Sequence, residues 1–421
     1  MILSFTILVA NTAADAPPGS KSTGGLSRAQ LTSTATPTNT STPNTSATPT
    51  VTQTRTPTQT PTRTPTRTLT QTPTSTPTLI PSNHAHPDDL LRLGDETVTP
   101  TPTATPSDWD TAFTGLSGTR LGLHFLKGSR IGFEYLRRVQ PPVVKAVGDV
   151  GLADAIQEEF PDMVTIGRFN DQDETLRNLD PEAAAEIYVG QWLEKYRQNP
   201  NVDYWEGWNE YVAVTAEDWD WYAAFEAERA CRMESLGLHA AIGGFSTGTP
   251  EFRKMLRFLP AMRAAEDCNA ILTLHEYSAP TLQYGFGLPI PNRPAFPDRG
   301  MLLFRYRYFY EDIFKPLDIA VPLVISEAGI DGLVGAGRPG PHGAGWRDFI
   351  GWWNETGLTA DVEGISYYVD QLLWYDQELR KDDYLIGVTL FSAGAEGFHV
   401  WDTFKLEPVL PALADALASS P

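Results

Sequence analysis

The sequence predicts an α/β fold, a (β/α)8 TIM barrel preceded by a disordered linker rich in Thr and Pro. From about Thr119 onward, apolar segments of β-strand character alternate with amphipathic helical segments, the pattern of a parallel sheet wrapped by helices. Eight such strand segments follow one another over about 300 residues, as one closed barrel requires. An open doubly wound sheet is less favoured, because residues 122–128 after the first strand contain no GxGxxG phosphate-binding turn.

The eight predicted strands are short apolar runs. In chain order they cover residues 120–126, 143–149, 163–169, 202–210, 239–246, 270–277, 322–329 and 385–391. Helical patterns lie between them at 181–198, 217–236, 252–266 and 302–314, and segment 346–383 is long enough for two helices separated near Gly357. Asp180 followed by Pro181 is typical of a helix start, and Gly237 is typical of a helix end.

The first 110 residues differ in composition from the rest. Between positions 31 and 80, 23 residues are Thr and 8 are Pro, so this stretch cannot bury enough apolar surface to offset the entropy of ordering it. We therefore expect a linker over residues 17–110 and one folded domain over residues 111–421. An apolar run at 1–10 and a small-residue triplet at 14–16 indicate a signal peptide over residues 1–16, although a basic start is missing. Secretion or display on the cell surface is the expected localisation.

Charge and cysteine content exclude several classes of partner and site. The net charge is −20 for the whole chain and −19 for residues 111–421, which argues against binding nucleic acid or anionic lipid. The apolar run at the N-terminus is too short to span a bilayer, so no transmembrane segment is expected. Cys231 and Cys268 are the only cysteines, and whether they pair is open. No CxxC or Cys/His cluster is present, and we expect neither a metal nor a cofactor.

Polar side chains with catalytic potential end several predicted strands. They are Glu210 on the fourth strand, His275 and Tyr277 on the sixth, and Glu327 on the seventh. Burying a lone carboxylate is costly, so a Glu that ends an apolar strand is paired or functional. The carboxyl ends of barrel strands meet at one mouth, where Glu210 and Glu327 would converge. Two carboxyl groups in one cleft are the arrangement that glycoside hydrolysis needs.

These residues carry a resemblance to a known family. Asn209-Glu210 on strand four and Glu327 on strand seven resemble clan A of the retaining glycoside hydrolases, over roughly residues 119–405. The resemblance implies that Glu210 is the acid/base and that Glu327 is the nucleophile. It also implies that Asn209 orients a sugar 2-hydroxyl, and it makes the folded part a catalytic domain.

Further positions extend the resemblance, with one departure. His275-x-Tyr277 is similar to the His-x-Tyr of the cellulase-like branch, in which the Tyr hydrogen-bonds the nucleophile. Arg168, at the end of strand three, resembles the clan's buried Arg near the nucleophile. The clan's Trp at the end of strand eight is missing, and we expect Trp401 in the following loop to fill its place. Trp208 is a second candidate sugar platform, because aromatic faces stack on pyranose rings.

The leading hypothesis is an exported, monomeric glycosidase that acts on a β-linked polysaccharide or oligosaccharide by double displacement. Retaining enzymes hold their two carboxyl groups about 5–5.5 Å apart, and we expect Glu210 to be protonated and Glu327 ionised. Glu206, on the same strand face as Glu210 but deeper, is expected to be a buried ion-pair partner, with Lys145 as a candidate. The alternatives are a non-catalytic surface barrel that binds carbohydrate, and a cell-wall muramidase-type hydrolase.

Overall fold

A computed structural model describes residues 118–170, 174–335, 337–359 and 363–419. The predicted signal peptide at 1–16 and the predicted linker at 17–110 lie outside the described residues, so both stay predictions.

Eight parallel strands form a closed barrel, as predicted. Each strand pairs with the next in the chain, and the last pairs with the first. The strands are β1 Leu121–Phe125, β2 Val143–Val147, β3 Val164–Arg168, β4 Tyr204–Glu206, β5 Ala240–Phe245, β6 Ile271–Ser278, β7 Leu323–Ile330 and β8 Leu385–Ala393. Every predicted strand segment overlaps the strand observed at its place in the order, so the alternating pattern identified all eight.

Helices surround the barrel. They are α1 Arg130–Val139, α2 Leu152–Glu159, α3 Pro181–Gln198, α4 Ala216–Ser235, α5 Phe252–Arg257, α6 Leu259–Asp267, α7 Tyr306–Phe309, α8 Trp346–Glu355, α9 Gly364–Leu379 and α10 Leu410–Ser419. Helices α1, α2 and α10 were not predicted. The predicted helix 252–266 is divided into α5 and α6, because Pro260 has no N–H to donate and belongs in a first helical turn. Within the described ranges, no helix has both the length and the apolarity to cross a membrane.

The barrel interior changes from apolar to charged along its axis. A small inner cluster fills the amino-terminal part of the barrel, and its members are Val143, Ile166, Ala241, Ile271, Val324 and Ile386. Lys145 and Arg168 lie two residues beyond members of this cluster on β2 and β3. Because side chains alternate between the two faces of a strand, both cations lie on the inner face, one layer closer to the carboxyl ends. The layer that contains Lys145 and Arg168 therefore lies directly next to an apolar layer of the barrel interior.

The prediction that Glu210 and Glu327 each end a strand was wrong. Strand β4 ends at Glu206, whereas Glu210 lies on the turn that follows. The backbone of Glu210 has φ 51, a left-handed conformation that a strand residue does not adopt. Strand β7 continues to Ile330, because its ladder with β6 extends beyond Glu327. Glu327 is therefore within β7, three residues before its end.

Cys231 and Cys268 form a disulfide bond, which answers the question that the sequence left open. Cys231 lies in α4, and Cys268 directly follows α6. The bond therefore joins two neighbouring helices on the outside of the barrel.

Candidate active site

Glu327 lies among cations and hydroxyl donors at the carboxyl end of the barrel. Its Oε1 accepts a hydrogen bond from Lys145 Nζ at 3.0 Å and lies 3.3 Å from the Arg168 guanidinium. Its Oε2 accepts a hydrogen bond from the Tyr277 hydroxyl at 3.0 Å, as the resemblance implies. The side chain is only 10% exposed, so it opens to solvent through a narrow part of its surface.

The surroundings of Glu327 favour its ionised form. Burial alone would raise the pKa of this carboxyl, but the neighbouring His275 and the cations Lys145 and Arg168 outweigh burial and hold the pKa well below its usual range. A hydrogen bond from Tyr277 to the charged form acts in the same direction. Glu327 is therefore an anion at neutral pH, the state that a nucleophile requires.

Glu210 reaches the same site from the turn after β4. Its backbone N–H donates to the carbonyl of Gly244 at the end of β5, over 3.0 Å, which fixes the turn against the barrel rim. Its carboxyl oxygen Oε1 lies 2.8 Å from His275 Nδ1. The side chain is 34% exposed, much more than that of Glu327. Glu210 is thus the outer carboxyl group of the pair and the one that solvent reaches more easily.

A single imidazole ring connects the two glutamates. His275 on β6 is fully buried, with Nδ1 against Glu210 and Nε2 at 3.7 Å from Glu327 Oε1. Tyr277 is two residues further along the same strand, so the alternation of side chains places both on the inner face. The structure brings Glu210, Glu327, His275 and Tyr277 into contact with one another, and their catalytic roles stay predictions.

Arg168 and Asn209 form the third side of the site. The Arg168 guanidinium donates to Asn209 Oδ1 and also contacts Glu327. Because the Asn209 carbonyl oxygen is engaged in this way, its amide N–H groups are the part left to meet a ligand. Glu206 is buried below, with Oε2 at 2.7 Å from Lys145 Nζ. This is the ion pair expected from the sequence.

The two candidate tryptophan platforms lie in different environments. Trp208 is 1% exposed and stacks on Phe225 of α4, so it belongs to the packed layer between barrel and helices and the expectation of a sugar platform was wrong. Trp401 is partly exposed, in a 3-10 turn after β8, and makes an edge-to-face contact with Phe391 at a centroid distance of 5.1 Å. Phe391 on β8 also contacts Tyr277 edge-to-face. Trp401 and Phe391 therefore line the β8 side of the site.

The sequence analysis missed three side chains at this site. His124 on β1 is buried 3.7 Å from Glu327 Oε1, and burial together with Lys145 holds its pKa well below the usual value. Neither of its ring nitrogens has a hydrogen-bond partner among the described residues. Phe391 is the second such residue. A signal existed for His124, since it is a lone polar residue within an apolar strand.

Asp331 is the third missed side chain and directly follows β7. Burial and repulsion from Glu210 and Glu327 raise its pKa to about 6, although the Leu333 N–H donates to its carboxylate at 2.8 Å. It is therefore a further titratable group close to the two glutamates, and it lies in a segment that the sequence analysis assigned no role. In the described residues, no group of three or more His, Cys, Asp or Glu side chains is arranged to hold a metal ion.

Comparison with known proteins yields distant structural neighbours. The chain is similar to a β-glucuronidase from Ruminococcus gnavus, with 14% identity, a TM-score of 0.39 and coverage of 71% of this chain and 49% of that one. A family 39 glycoside hydrolase from Bacteroides cellulosilyticus WH2 has 13% identity, a TM-score of 0.47 and coverage of 71% and 63%. An endo-β-1,4-mannanase from Thermotoga petrophila has 12% identity, a TM-score of 0.39 and coverage of 72% and 78%.

The chain thus spans about half the length of the glucuronidase and less than two thirds of the family 39 protein. No protein-family model and no curated protein matches the sequence.

Proposed function

We propose that this chain is a retaining glycoside hydrolase that cleaves a β-linked glycan by double displacement. The observation that carries the proposal is the environment of Glu327, a buried carboxylate kept anionic by Lys145 and Arg168 at the mouth of a (β/α)8 barrel. The more exposed Glu210 lies across the His275 ring. This reaction requires one carboxylate that attacks the anomeric carbon and one carboxyl group that gives a proton to the leaving oxygen and later takes one from water.

In the first step, Glu327 attacks the anomeric carbon and a C–O bond forms between sugar and enzyme. The bond from the anomeric carbon to the leaving oxygen breaks, and Glu210 gives its proton to that oxygen. The Tyr277 hydroxyl and the neighbouring cations keep Glu327 deprotonated before the attack. The Asn209 amide, held by Arg168 through its carbonyl oxygen, donates to a sugar hydroxyl.

In the second step, water attacks the anomeric carbon. Glu210, now a carboxylate, takes a proton from that water, and the bond to Glu327 breaks with its electron pair returning to the carboxylate. The greater exposure of Glu210 fits this step, because the attacking water reaches it from solvent. His275, which contacts both carboxyl groups, keeps them oriented toward each other through the two steps.

Covalent labelling tests this proposal on the full chain. A panel of aryl β-glycosides identifies the sugar that is cleaved, and the 2-fluoro glycoside of that sugar is then incubated with the protein. We expect one label per chain, located by peptide mass spectrometry on Glu327, and no label on an E327Q variant that remains folded. A label elsewhere, or turnover by E327Q near the wild-type rate, contradicts the assignment.

Two alternative functions predict different experimental results. A non-catalytic carbohydrate-binding barrel would bind glycans without hydrolysing any glycoside and without forming the covalent adduct. A cell-wall muramidase-type hydrolase would clear a suspension of bacterial cell walls in a turbidity assay while leaving plant polysaccharides intact. The ionised Glu327 and its Tyr277 donor favour an enzyme over a binding barrel, because binding alone has no need of a buried carboxylate held anionic at high cost.

We also propose that the protein is exported. The Cys231–Cys268 disulfide supports this, since such bonds persist in oxidising compartments and are rare in the cytosol. Fractionation of cells that express the full chain tests the proposal. Recovery in the medium or on the surface, with both thiols blocked to alkylation, is expected, whereas a cytosolic protein with reactive thiols contradicts it.

A further inference from the structure

Glu206 is a second buried carboxylate in the site. It is the last residue of β4 and is 3% exposed. Its Oε2 lies 2.7 Å from Lys145 Nζ and 3.4 Å from the Arg168 guanidinium. Among the described residues its Oε1 has no hydrogen-bond partner. Glu206 is therefore tied to the site through these two cations.

The same two cations contact Glu327. Lys145 Nζ is 3.0 Å and Arg168 is 3.3 Å from Glu327 Oε1. Two anions thus share two cations in a layer where all four side chains are at most 10% exposed. At such burial, charges a few ångströms apart interact far more strongly than in water, so each carboxylate alters how strongly the cations stabilise the other.

Glu206 keeps its charge over the whole working range of pH. Burial opposes its ionisation, but Lys145 and Arg168 outweigh burial and lower the pKa of Glu206 to about 2. Its negative charge is therefore permanent, whereas the charge of Glu327 disappears in each turnover when the carboxylate forms its bond to the sugar.

A carboxylate nucleophile that is surrounded by too much positive charge attacks carbon slowly. Cations that stabilise a carboxylate lower its tendency to attack carbon, and they also make it a better leaving group when the glycosyl-enzyme breaks down. Without Glu206, both cations would act on Glu327 alone. The attack by Glu327 would then become slower, and its departure from the glycosyl-enzyme would become faster.

We propose that Glu206 is a positioning residue that holds Lys145 and Arg168 between two carboxylates. It thereby keeps the rate of attack by Glu327 high without making the departure of Glu327 from the glycosyl-enzyme too slow. This inference rests on the proposed function. Glu206 touches no reacting atom, and it acts through the two cations that it shares with the nucleophile.

The test measures the two steps separately on the full chain. Inactivation by the 2-fluoro glycoside reports attack by Glu327, and recovery of activity after removal of the reagent reports departure of Glu327. In E206Q we expect inactivation to slow about 10-fold or more, as for a shift of one pKa unit or more, and recovery to become faster. A merely structural role would slow both steps or neither, and either result overturns the inference.

A matched control and a second variant complete the test. E276Q changes another buried Glu, on β6, whose carboxyl oxygen accepts a hydrogen bond from Tyr375 outside the barrel, and it should leave both rates within twofold of wild type. The double variant E206Q/K145Q removes one charge of each sign, so it tests the balance even where E206Q folds poorly. Its ratio of the two rates should lie close to the wild-type ratio, and a ratio shifted toward slow inactivation and fast recovery overturns the inference.

The outcome also separates this inference from the proposed function. If the wild-type protein cleaves no glycoside and takes up no label, the proposed function fails and the inference fails with it. If the wild type is labelled on Glu327 while E206Q changes both rates in the same direction, only the role of Glu206 is overturned.

Discussion

The Tyr277 hydroxyl donates a hydrogen bond to Glu327 Oε2 at 3.0 Å, on the side of the carboxylate opposite the Lys145 contact. A hydrogen bond to a charged group contributes about 1.5–3 kcal/mol, so we expect Y277F to lower kcat/KM about 10- to 100-fold. Steady-state kinetics on an aryl glycoside measures this. The control is Y375F, which removes a hydroxyl that bonds Glu276 at 2.8 Å outside the barrel mouth. Equal losses in the two variants would contradict a specific role for Tyr277.

Glu210 should be dispensable for the first step when the leaving group needs no proton. With a dinitrophenyl glycoside, E210Q is expected to form the glycosyl-enzyme at a rate close to wild type and then to hydrolyse it slowly, because no base activates water. Stopped-flow absorbance should therefore show a burst of one phenolate per chain, followed by a slow phase. E327Q is the control and should show no burst. A slow first step in E210Q with this substrate would assign the acid role to another residue.

Trp401 and Trp208 should affect different properties. Trp401 is partly exposed beside Phe391, so W401A removes a surface for stacking on sugar and is expected to raise KM about 3- to 10-fold at unchanged stability. Trp208 is packed on Phe225 in the core, so W208A is expected to lower the free energy of unfolding by about 3–5 kcal/mol. Kinetics and thermal unfolding of both variants measure this. A higher KM for W208A together with a lower stability for W401A would contradict both assignments.

Glu276 should make stability depend on pH. Burial raises its pKa to about 8, despite the hydrogen bond from Tyr375. The folded state therefore holds a proton that the unfolded chain releases near pH 4.5, so stability falls as pH rises from about 4.5 to 8. The Gln of E276Q cannot ionise. The Tm of E276Q relative to wild type should therefore increase between pH 5 and pH 8 and change little above that. A constant difference in Tm between E276Q and wild type over this pH range would contradict the raised pKa of Glu276.

The disulfide should stabilise the outer layer of helices. It links residues 37 positions apart, and closing a loop of this length contributes about 4 kcal/mol in the chain-entropy model. We expect the C231S/C268S double variant to have a lower Tm and normal kinetics at low temperature, because the bond joins α4 and the end of α6, away from the carboxylates. Reduced wild type is the matched control, and its Tm should fall to that of the variant. Loss of activity at low temperature would contradict this separation.

The sequence alone determined the class of fold and the central residues of the candidate site. Period-two alternation and apolar runs located all eight strands, because a barrel strand needs one inner and one outer face along its own length. A carboxylate within an otherwise apolar run identified Glu327, and the His-x-Tyr spacing placed His275 and Tyr277 on one face. These are local properties, which a single segment expresses without its neighbours.

The tertiary structure decided what depends on segments far apart in the chain. The turn that carries Glu210 is set by its hydrogen bond to Gly244 of the next strand, and the burial of Trp208 is set by helix α4. The disulfide depends on how α4 and α6 pack. The sharing of Lys145 and Arg168 between Glu206 and Glu327 depends on the stagger of four strands around the barrel, which no single segment encodes.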